Sequence, residues 1–542
     1  MLRFALIFGL LCLALAALAT PPTQAWRRIF NTGTYDDFAG AIDVDASGNA
    51  YLLYEDDQLN QQYVHVVKIG PTSGIYFDVV GGLQPFHPGY TPYGIYVSPI
   101  IAGKQYVYSV VAVTTGTNQG LLISKCDTAG TVLWTQSFSS VTSDAAYPFG
   151  IAGIYFDASN NVLLALKHSY ATGGNLEMVT IDSFGNVTSD HSNNNIYPTA
   201  AFYSTVLNGW IAAGNDMASP FPERSARWDL FDPTTGNEGT IGETAEGSFN
   251  PAPYSSYSEQ FVLNQLPNNA FSNIHNSVDR PSIIAPTTAS TSMRAFTGNG
   301  SPTWSYPSSG NRSGNVFQLS SLNAASPIFD LGIPYYAART MIEQFNSSGV
   351  LQWQHRTQPA DNMFLCADGF FTTYDNHAAS NTVFLEHADT TGAYDFGKGY
   401  QGTAAGTVTS FAGLRVFQNS AYVLMNVDNS GTGKDVILDR FVTGIAMQSI
   451  TSASTVQAGH ALTATITLNG AAPTGGVSVG VSSSNNKLLL PNGTQGQFVS
   501  VPAGQTSTTV NLNAQVVSTN TAVRILALQN GIRRFVDVTV TP

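Results

Sequence analysis

A polar turn ending in glycine recurs behind an apolar run at near-regular spacing, and no other feature of this chain restricts its fold so tightly. The turns are VVKIGPTSG (ending at Gly74), LISKCDTAG (Gly130), MVTIDSFG (Gly185), WDLFDPTTG (Gly236), MRAFTGNG (Gly300), MIEQFNSSG (Gly349), FLEHADTTG (Gly392) and ILDRFVTG (Gly444). By subtraction, successive glycines lie 56, 55, 51, 64, 49, 43 and 52 residues apart, a mean of about 53. Apolar positions at helical spacing are scarce, whereas short alternating runs bounded by Gly, Asn, Asp, Ser and Pro fill the chain, which is the pattern of many short antiparallel strands. One four-stranded propeller blade with moderately long loops has this length. Eight turns therefore predict an all-β chain built on an eight-bladed β-propeller. Seven blades are the alternative, because the fifth unit, around QFVLNQLPNNAFSNIHNSVDRPSIIAP, is the least regular.

Three of the units carry a tryptophan four residues beyond the turn glycine: Trp134 in CDTAGTVLWTQSF, Trp304 in FTGNGSPTWSYPS and Trp353 in FNSSGVLQWQHRT. An aromatic at one position of successive repeats reads as packing between neighbouring sheets, where burial of its ring contributes a few kcal/mol. The last unit has no evident fourth strand, since Gly444 runs directly into IAMQSITSAS, while AWRRIFNTG near the N-terminus looks like an orphan copy of VLWTQSFSS. A ring of sheets exposes an edge unless its ends are joined. Trp26 to Phe30 is the candidate closing strand.

The two ends of the chain differ in texture from the repeats. Arg3 precedes an apolar run from Phe4 to Ala19, and small residues follow at Ala19 and Ala25. This is the grammar of a secretory signal peptide and not of a membrane span. From Met447 the strands alternate more strictly, as in HALTATITLNG, VSVGVSSSN, STTVNLNAQ, TAVRILALQNG and RRFVDVTVT. About seven such strands suit an immunoglobulin-like β-sandwich. The expected organisation is a signal peptide over 1–25, the propeller over 26–446 and the sandwich over 447–542. The product is expected to be secreted or extracytoplasmic, at a bacterial cell surface or in the periplasm.

The units VDASGNAYLLYED and FDASNNVLLALKHS resemble the repeats of bacterial secreted β-propeller proteins with D-x-x-G-N-x-Y motifs. The tail, through APTGGVSVGVSSSN and VPAGQTSTTVNL, resembles the immunoglobulin-like modules appended to bacterial exported proteins. These resemblances imply fold and compartment and bring no catalytic residues, because such units host many functions. The tryptophan motif also resembles that of eight-bladed quinone-cofactor dehydrogenases. That resemblance implies a vicinal cysteine pair and a calcium-bound acid, and no two cysteines adjoin here.

Composition removes several function classes. With a net charge of -13 and only 11% charged residues, the chain has no basic face for nucleic acid or an anionic membrane surface. Two cysteines remain beyond the leader, Cys126 and Cys366, too few for a disulfide framework and without zinc spacing, so both read as buried and inert. The nine histidines are scattered singly from His65 to His460. No G-x-S-x-G or H-E-x-x-H motif occurs, and GTGK at Gly431 lacks the rest of a phosphate loop. DVDASGN places Asp43, Asp45 and Ser47 at calcium-loop positions 1, 3 and 5, but position 12 is Tyr54, so a hairpin turn is the better reading. NVDNSGTGKD at Asn426 is a weaker parallel. No cofactor and no metal site are expected.

Aromatic and proline residues gather in segments entering several blades: HPGYTPYG, AAYPFG, NIYPTA and APYSSY. Blade-to-blade connections meet on one face of a propeller, where aromatics either wedge adjacent blades or stack on sugar rings and partner surfaces. Tyr90, Tyr93, Tyr147, Phe149, Tyr197 and Tyr254 are the candidate ligand-binding residues; no catalytic residue is assigned. The leading expectation is a non-enzymatic binding or adhesion protein contacting a glycan or a surface protein, with no membrane span after leader removal. The alternatives are a carbohydrate-active enzyme with paired acids at the propeller mouth, drawn from acids such as Glu55, Asp56, Asp57, Asp144, Asp216 and Glu223, and a structural envelope or matrix component.

Overall fold

The computed structural model describes residues 22–542 apart from connecting segments, chiefly 31–35, 81–89, 141–148, 217–225, 240–255, the connections between 266 and 408, and a few one- to three-residue turns. Side chains are described mainly within 22–239 and 364–542. Residues 1–21 of the expected leader and the side chains of Cys366, Trp304 and Trp353 lie outside that description.

The described chain is all-β and contains eight four-stranded antiparallel sheets before residue 443. The first comprises Asp37–Val44, Ala50–Gln58, Gln61–Ile69 and Ile75–Val80; the second Tyr90–Val97, Tyr106–Thr115, Asn118–Asp127 and Val132–Ser140. The third comprises Gly150–Phe156, Val162–Tyr170, Gly173–Ile181 and Val187–Asn193, and the fourth starts at Ile196–Ser204 and Gly209–Asp216. The eighth takes Ser410–Phe417, Ser420–Asn429 and Gly433–Val442 in sequence, and its fourth strand is Thr23–Phe30 from the N-terminus. Thr23 faces Val442 and Phe30 faces Val436 along this antiparallel ladder. The orphan copy thus completes the eighth sheet, beginning at Thr23, three residues ahead of the expected Ala25/Trp26 boundary.

Turn chemistry explains the hairpins. Asp45 accepts from the amides of Ser47 (2.8 Å) and Asn49 (2.9 Å), from the Asn49 side chain (2.7 Å) and from the Tyr51 hydroxyl (3.1 Å). Asp157 and Asp182 make the same amide and asparagine bonds. These Asx turns need a left-handed residue at the fourth place, supplied by Gly48 (φ 77°), Asn160 (φ 61°) and Gly185 (φ 96°). D-x-x-G-N is here a turn device, and its carboxylate is occupied by the turn.

The first strands of neighbouring sheets contact one another from the first to the second, from the third through to the eighth, and from the eighth back to the first. The second and third sheets meet through Val132–Ser140 against Val162–Tyr170 and through Tyr93 on Ile151. Five of these first strands carry a bulge at a similar place, at Ala39/Ala41, Pro92/Gly94, Ile151/Gly153, Pro198/Ala200 and Phe411/Gly413. Two of the bulge glycines meet the next sheet closely: a Cβ on Gly413 would lie 2.9 Å from Ile42, and one on Gly153 would lie 2.8 Å from Trp210. Apolar side chains alternate between the two faces of each sheet. In the first sheet Tyr51, Leu53, Val64 and Val66 pack on the second sheet, while Leu52, Tyr54, Val67 and Ile69 pack on the eighth.

The tryptophans act between sheets. Trp134 sits on the last strand of the second sheet; its indole N–H donates to the Ser183 carbonyl (3.3 Å) in a turn of the third, and its ring lies over Gly185. Trp26 holds the same place in the eighth sheet and donates to the Pro71 carbonyl (2.9 Å) in the corresponding turn of the first. A cation on the neighbouring strand reinforces each contact: Lys125 donates to the Ser183 carbonyl (3.2 Å) and Arg440 to the Pro71 carbonyl (2.8 Å).

From Met447 two sheets share one core. Met447–Ser452, Ala461–Leu468, Ser507–Ala514 and Leu488–Leu489 form one; Thr455–Gln457, Ile532–Thr541, Thr521–Gln529, Val477–Ser483 and Gly496–Val501 form the other. The nine strands exceed the expected seven because Thr455–Gln457 and Leu488–Leu489 are too short to read as alternating runs. Ala25 and Val442 enter the same apolar cluster as Ile450, Leu462 and Val540, so this tail packs on the eighth sheet.

Candidate functional site

The tight Asp turns join first to second and third to fourth strands, so in an antiparallel sheet they all lie at one end. The opposite end collects the connections between second and third strands and those between sheets. At this loop-rich end of the first sheet, on the face toward the eighth, one imidazole lies between two carboxylates.

His65 is the centre. Its Nδ1–H donates to Asp78 Oδ1 at 2.8 Å, and its Nε2 lies 3.7 Å from Asp56 Oδ2. Tyr54 stacks on the imidazole with centroids 4.8 Å apart and planes within 15°. Strand register builds this arrangement: Tyr54 faces His65 across the hairpin, Asp56 follows two residues on and therefore shares Tyr54's face, and Asp78 faces Val67 on the outer strand. Phe30 of the eighth sheet closes over Tyr54 at 5.3 Å. Tyr54 and Asp56 are buried, whereas the Asp78 side chain is 40% exposed, so the group has a wet side and a dry side. Burial, then the charges of Asp78, Asp37 and Asp56, pushes the Tyr54 hydroxyl well above its ordinary range and keeps it a neutral donor.

Chemically this is an oriented proton carrier. A carboxylate accepting from Nδ1–H fixes the ring's orientation and tautomer and leaves Nε2, beside Asp56, as the second proton-transfer position. A different acid pair lies between the second and third sheets, where burial and Asp190 push Glu177 up to about 7.

The sequence-derived candidates fall elsewhere. Tyr93, on the first strand of the second sheet, accepts a hydrogen bond from the Ile151 amide at 3.0 Å and so ties the second sheet to the third. Tyr197 and Phe149 are buried, and Phe149 packs with Tyr108 and Leu164 between the same two sheets. Tyr90 begins Tyr90–Val97 but its side chain lies outside the described residues, as do Tyr147 and Tyr254. Among the acids named from sequence, Glu55 and Asp56 are buried at the end of Ala50–Gln58; Asp144 and Glu223 and the side chains of Asp57 and Asp216 are outside the description. Cys126 is buried and unpaired, its thiol pushed up to about 11 by burial and Asp127. Among the described residues no group of three or more His, Cys, Asp or Glu side chains is arranged to hold a metal ion, the Asp56, His65 and Asp78 set included. His65, Tyr54 and Asp78 escaped a motif search because they come from three strands. The one available signal was hairpin symmetry, since Tyr54 and His65 stand four residues either side of the Gln58–Gln61 turn.

No protein-family model matches the chain, and no curated protein matches it. Among solved structures it is similar to an ulvan lyase of polysaccharide lyase family PL25, at 9% identity and a TM-score of 0.37 over 77% of this chain and 96% of that one. It is also similar to a Bombyx mori GH32 β-fructofuranosidase mutant in complex with sucrose, at 10% identity and 0.25 over 76% and 93% of the two chains. A Salmonella α-2-macroglobulin mutant follows at 10% identity and 0.16 over 97% and 47%. At these scores the likeness assigns no activity.

Proposed function

We propose that the chain is an exported carbohydrate-active enzyme that cleaves a neutral polysaccharide by general acid–base chemistry at His65. The observation that carries this reading is the Asp56, His65, Asp78 arrangement with Tyr54 stacked on the imidazole. His65 is the proton-transfer group, Asp78 holds its tautomer and Asp56 lies beside its Nε2. Of the six aromatics the adhesion reading relies on, three have described side chains: Phe149 and Tyr197 are buried, and Tyr93, 37% exposed, ties one sheet to the next. Eight four-stranded sheets in cyclic contact, completed by Thr23–Phe30, support an eight-bladed propeller over the seven-bladed count. The two sheets beyond Met447 support an immunoglobulin-like sandwich that braces the closure. Domain limits near 446 and an extracytoplasmic, bacterial setting belong to the same reading.

Charge selects the substrate class. Asp36, Asp37, Asp56 and Asp78 lie at this end of the first sheet in a chain of net charge -13, so a uronate or sulfated polymer would meet like charge at the site. The test is sugar release from paired neutral and anionic polysaccharides. Release is expected from a neutral polymer only, falling on the order of 100-fold in His65→Ala and on the order of 10-fold or more in Asp78→Asn. Glycan binding without release, unaffected by His65→Ala, would restore the adhesion reading.

A further inference from the structure

We infer that the chain is processed at the Ala19–Thr20 peptide bond and that Thr23, Gln24 and Ala25 are retained as working parts of the mature fold. This rests on the export reading above. Sequence admits a cut after Ala19, with Ala17 at the third position before the bond, or after Ala25, with Thr23 there. The structure separates the two, because the three consecutive residues ahead of Trp26 are all held by the tail, and Thr23 and Gln24 by neighbouring sheets as well.

Thr23 Oγ1 accepts a hydrogen bond from Asn469 of the tail (3.2 Å), and its backbone faces Val442 in the eighth sheet. The Gln24 side chain donates to Asp439 (3.1 Å) and accepts from Lys398 (2.7 Å) on Tyr394–Gln401, the last strand of the seventh sheet, which begins at Asn362–Cys366, while its carbonyl accepts from Arg534 of the tail (3.0 Å). Ala25 is buried in the tail's apolar cluster beside Val442, Ala446 and Met447. A cut after Ala25 would delete all of these contacts. It would leave the buried Asp439 and the half-buried Lys398 one partner short, with a hole between the eighth sheet and the tail. A cut after Ala19 keeps every one of them and frees a three-residue lead, Thr20 to Pro22, ahead of the strand. The reaction is hydrolysis by an endopeptidase of the signal-peptidase class: water adds to the Ala19 carbonyl, the C–N bond breaks, and the products carry a carboxylate on Ala19 and an amine on Thr20.

The full chain, expressed in a secreting bacterial host, gives the test through intact mass and the N-terminal peptide of the exported protein. A mature chain starting at Thr20 is expected. A start at Trp26, or at any other residue beyond the leader, overturns the assignment while leaving export standing; a chain still starting at Met1 overturns the export reading itself. In parallel, chains made without a leader and beginning at Thr20 or at Trp26 are melted side by side. The shorter chain is expected to melt several degrees lower, and equal melting temperatures would show that residues 23–25 are dispensable, overturning the inference.

Discussion

Lys125 shows how a single buried side chain can serve as a joint. It is almost wholly inaccessible, its Nζ lies 4.0 Å from the centroid of Tyr106, and it reaches the Ser183 carbonyl of the next sheet. Burial lowers its pKa from the ordinary 10.5, so the unfolded chain binds the extra proton more readily than the folded one. Stability should therefore rise with pH between the lowered folded value and 10.5, and the rise should vanish in Lys125→Met; melting temperatures from pH 8 to 11 measure it. Glu177 gives the opposite slope. Its folded pKa is raised from 4.5 to about 7, so the stability present below 4.5 is lost as pH climbs through 7. Melting curves at pH 5 and 8 should differ less in Glu177→Gln than in the parent chain.

At the scale of elements, the closing strand is held by more than its ladder. Arg27 makes two 2.7 Å bonds to the fully buried Asp439, and Tyr400 donates to the same carboxylate at 2.8 Å. Lys398 lies 3.3 Å away. One carboxylate thus collects groups from the N-terminal strand and the seventh sheet, itself fully buried while Arg27 and Lys398 stay partly exposed. Removing it takes from both cations the counter-charge and the hydrogen bonds that hold them against the eighth sheet. Asp439→Ala should cost about 3–5 kcal/mol, read as a shift in the urea midpoint at unchanged slope. Asp439→Asn should fall between the two, since the amide oxygen still accepts from Arg27.

For the whole molecule, the tail is a clamp on that joint. Ala25, Val442 and Ala446 are buried in one apolar cluster with the tail's sheets, and Gln529 accepts from the Met447 amide at 2.6 Å. A chain ending at Ala446 would expose this apolar strip beside the edge of Thr23–Phe30. Its melting temperature should fall, and it should bind a hydrophobic dye that the full chain ignores. Retention of the parent melting temperature would mean that the ring closes without help.

Much of this fold was legible before any coordinates. The period near fifty residues, the glycine turns and the stray copy around Trp26 each follow from local rules, because a tight turn needs a left-handed residue and a strand needs alternation. Sequence also placed Trp134 as a joint between sheets, although not the carbonyl it seeks. What it could not supply was the union of Tyr54, Asp56, His65 and Asp78, or that of Gln24 with Asp439, Lys398 and Arg534. Those groups come from separate strands, and only the stacking of sheet upon sheet, governed by register and by which face each strand turns to its neighbour, brings them within reach. Periodicity determined the sheets; tertiary packing decided which polar side chains share a boundary.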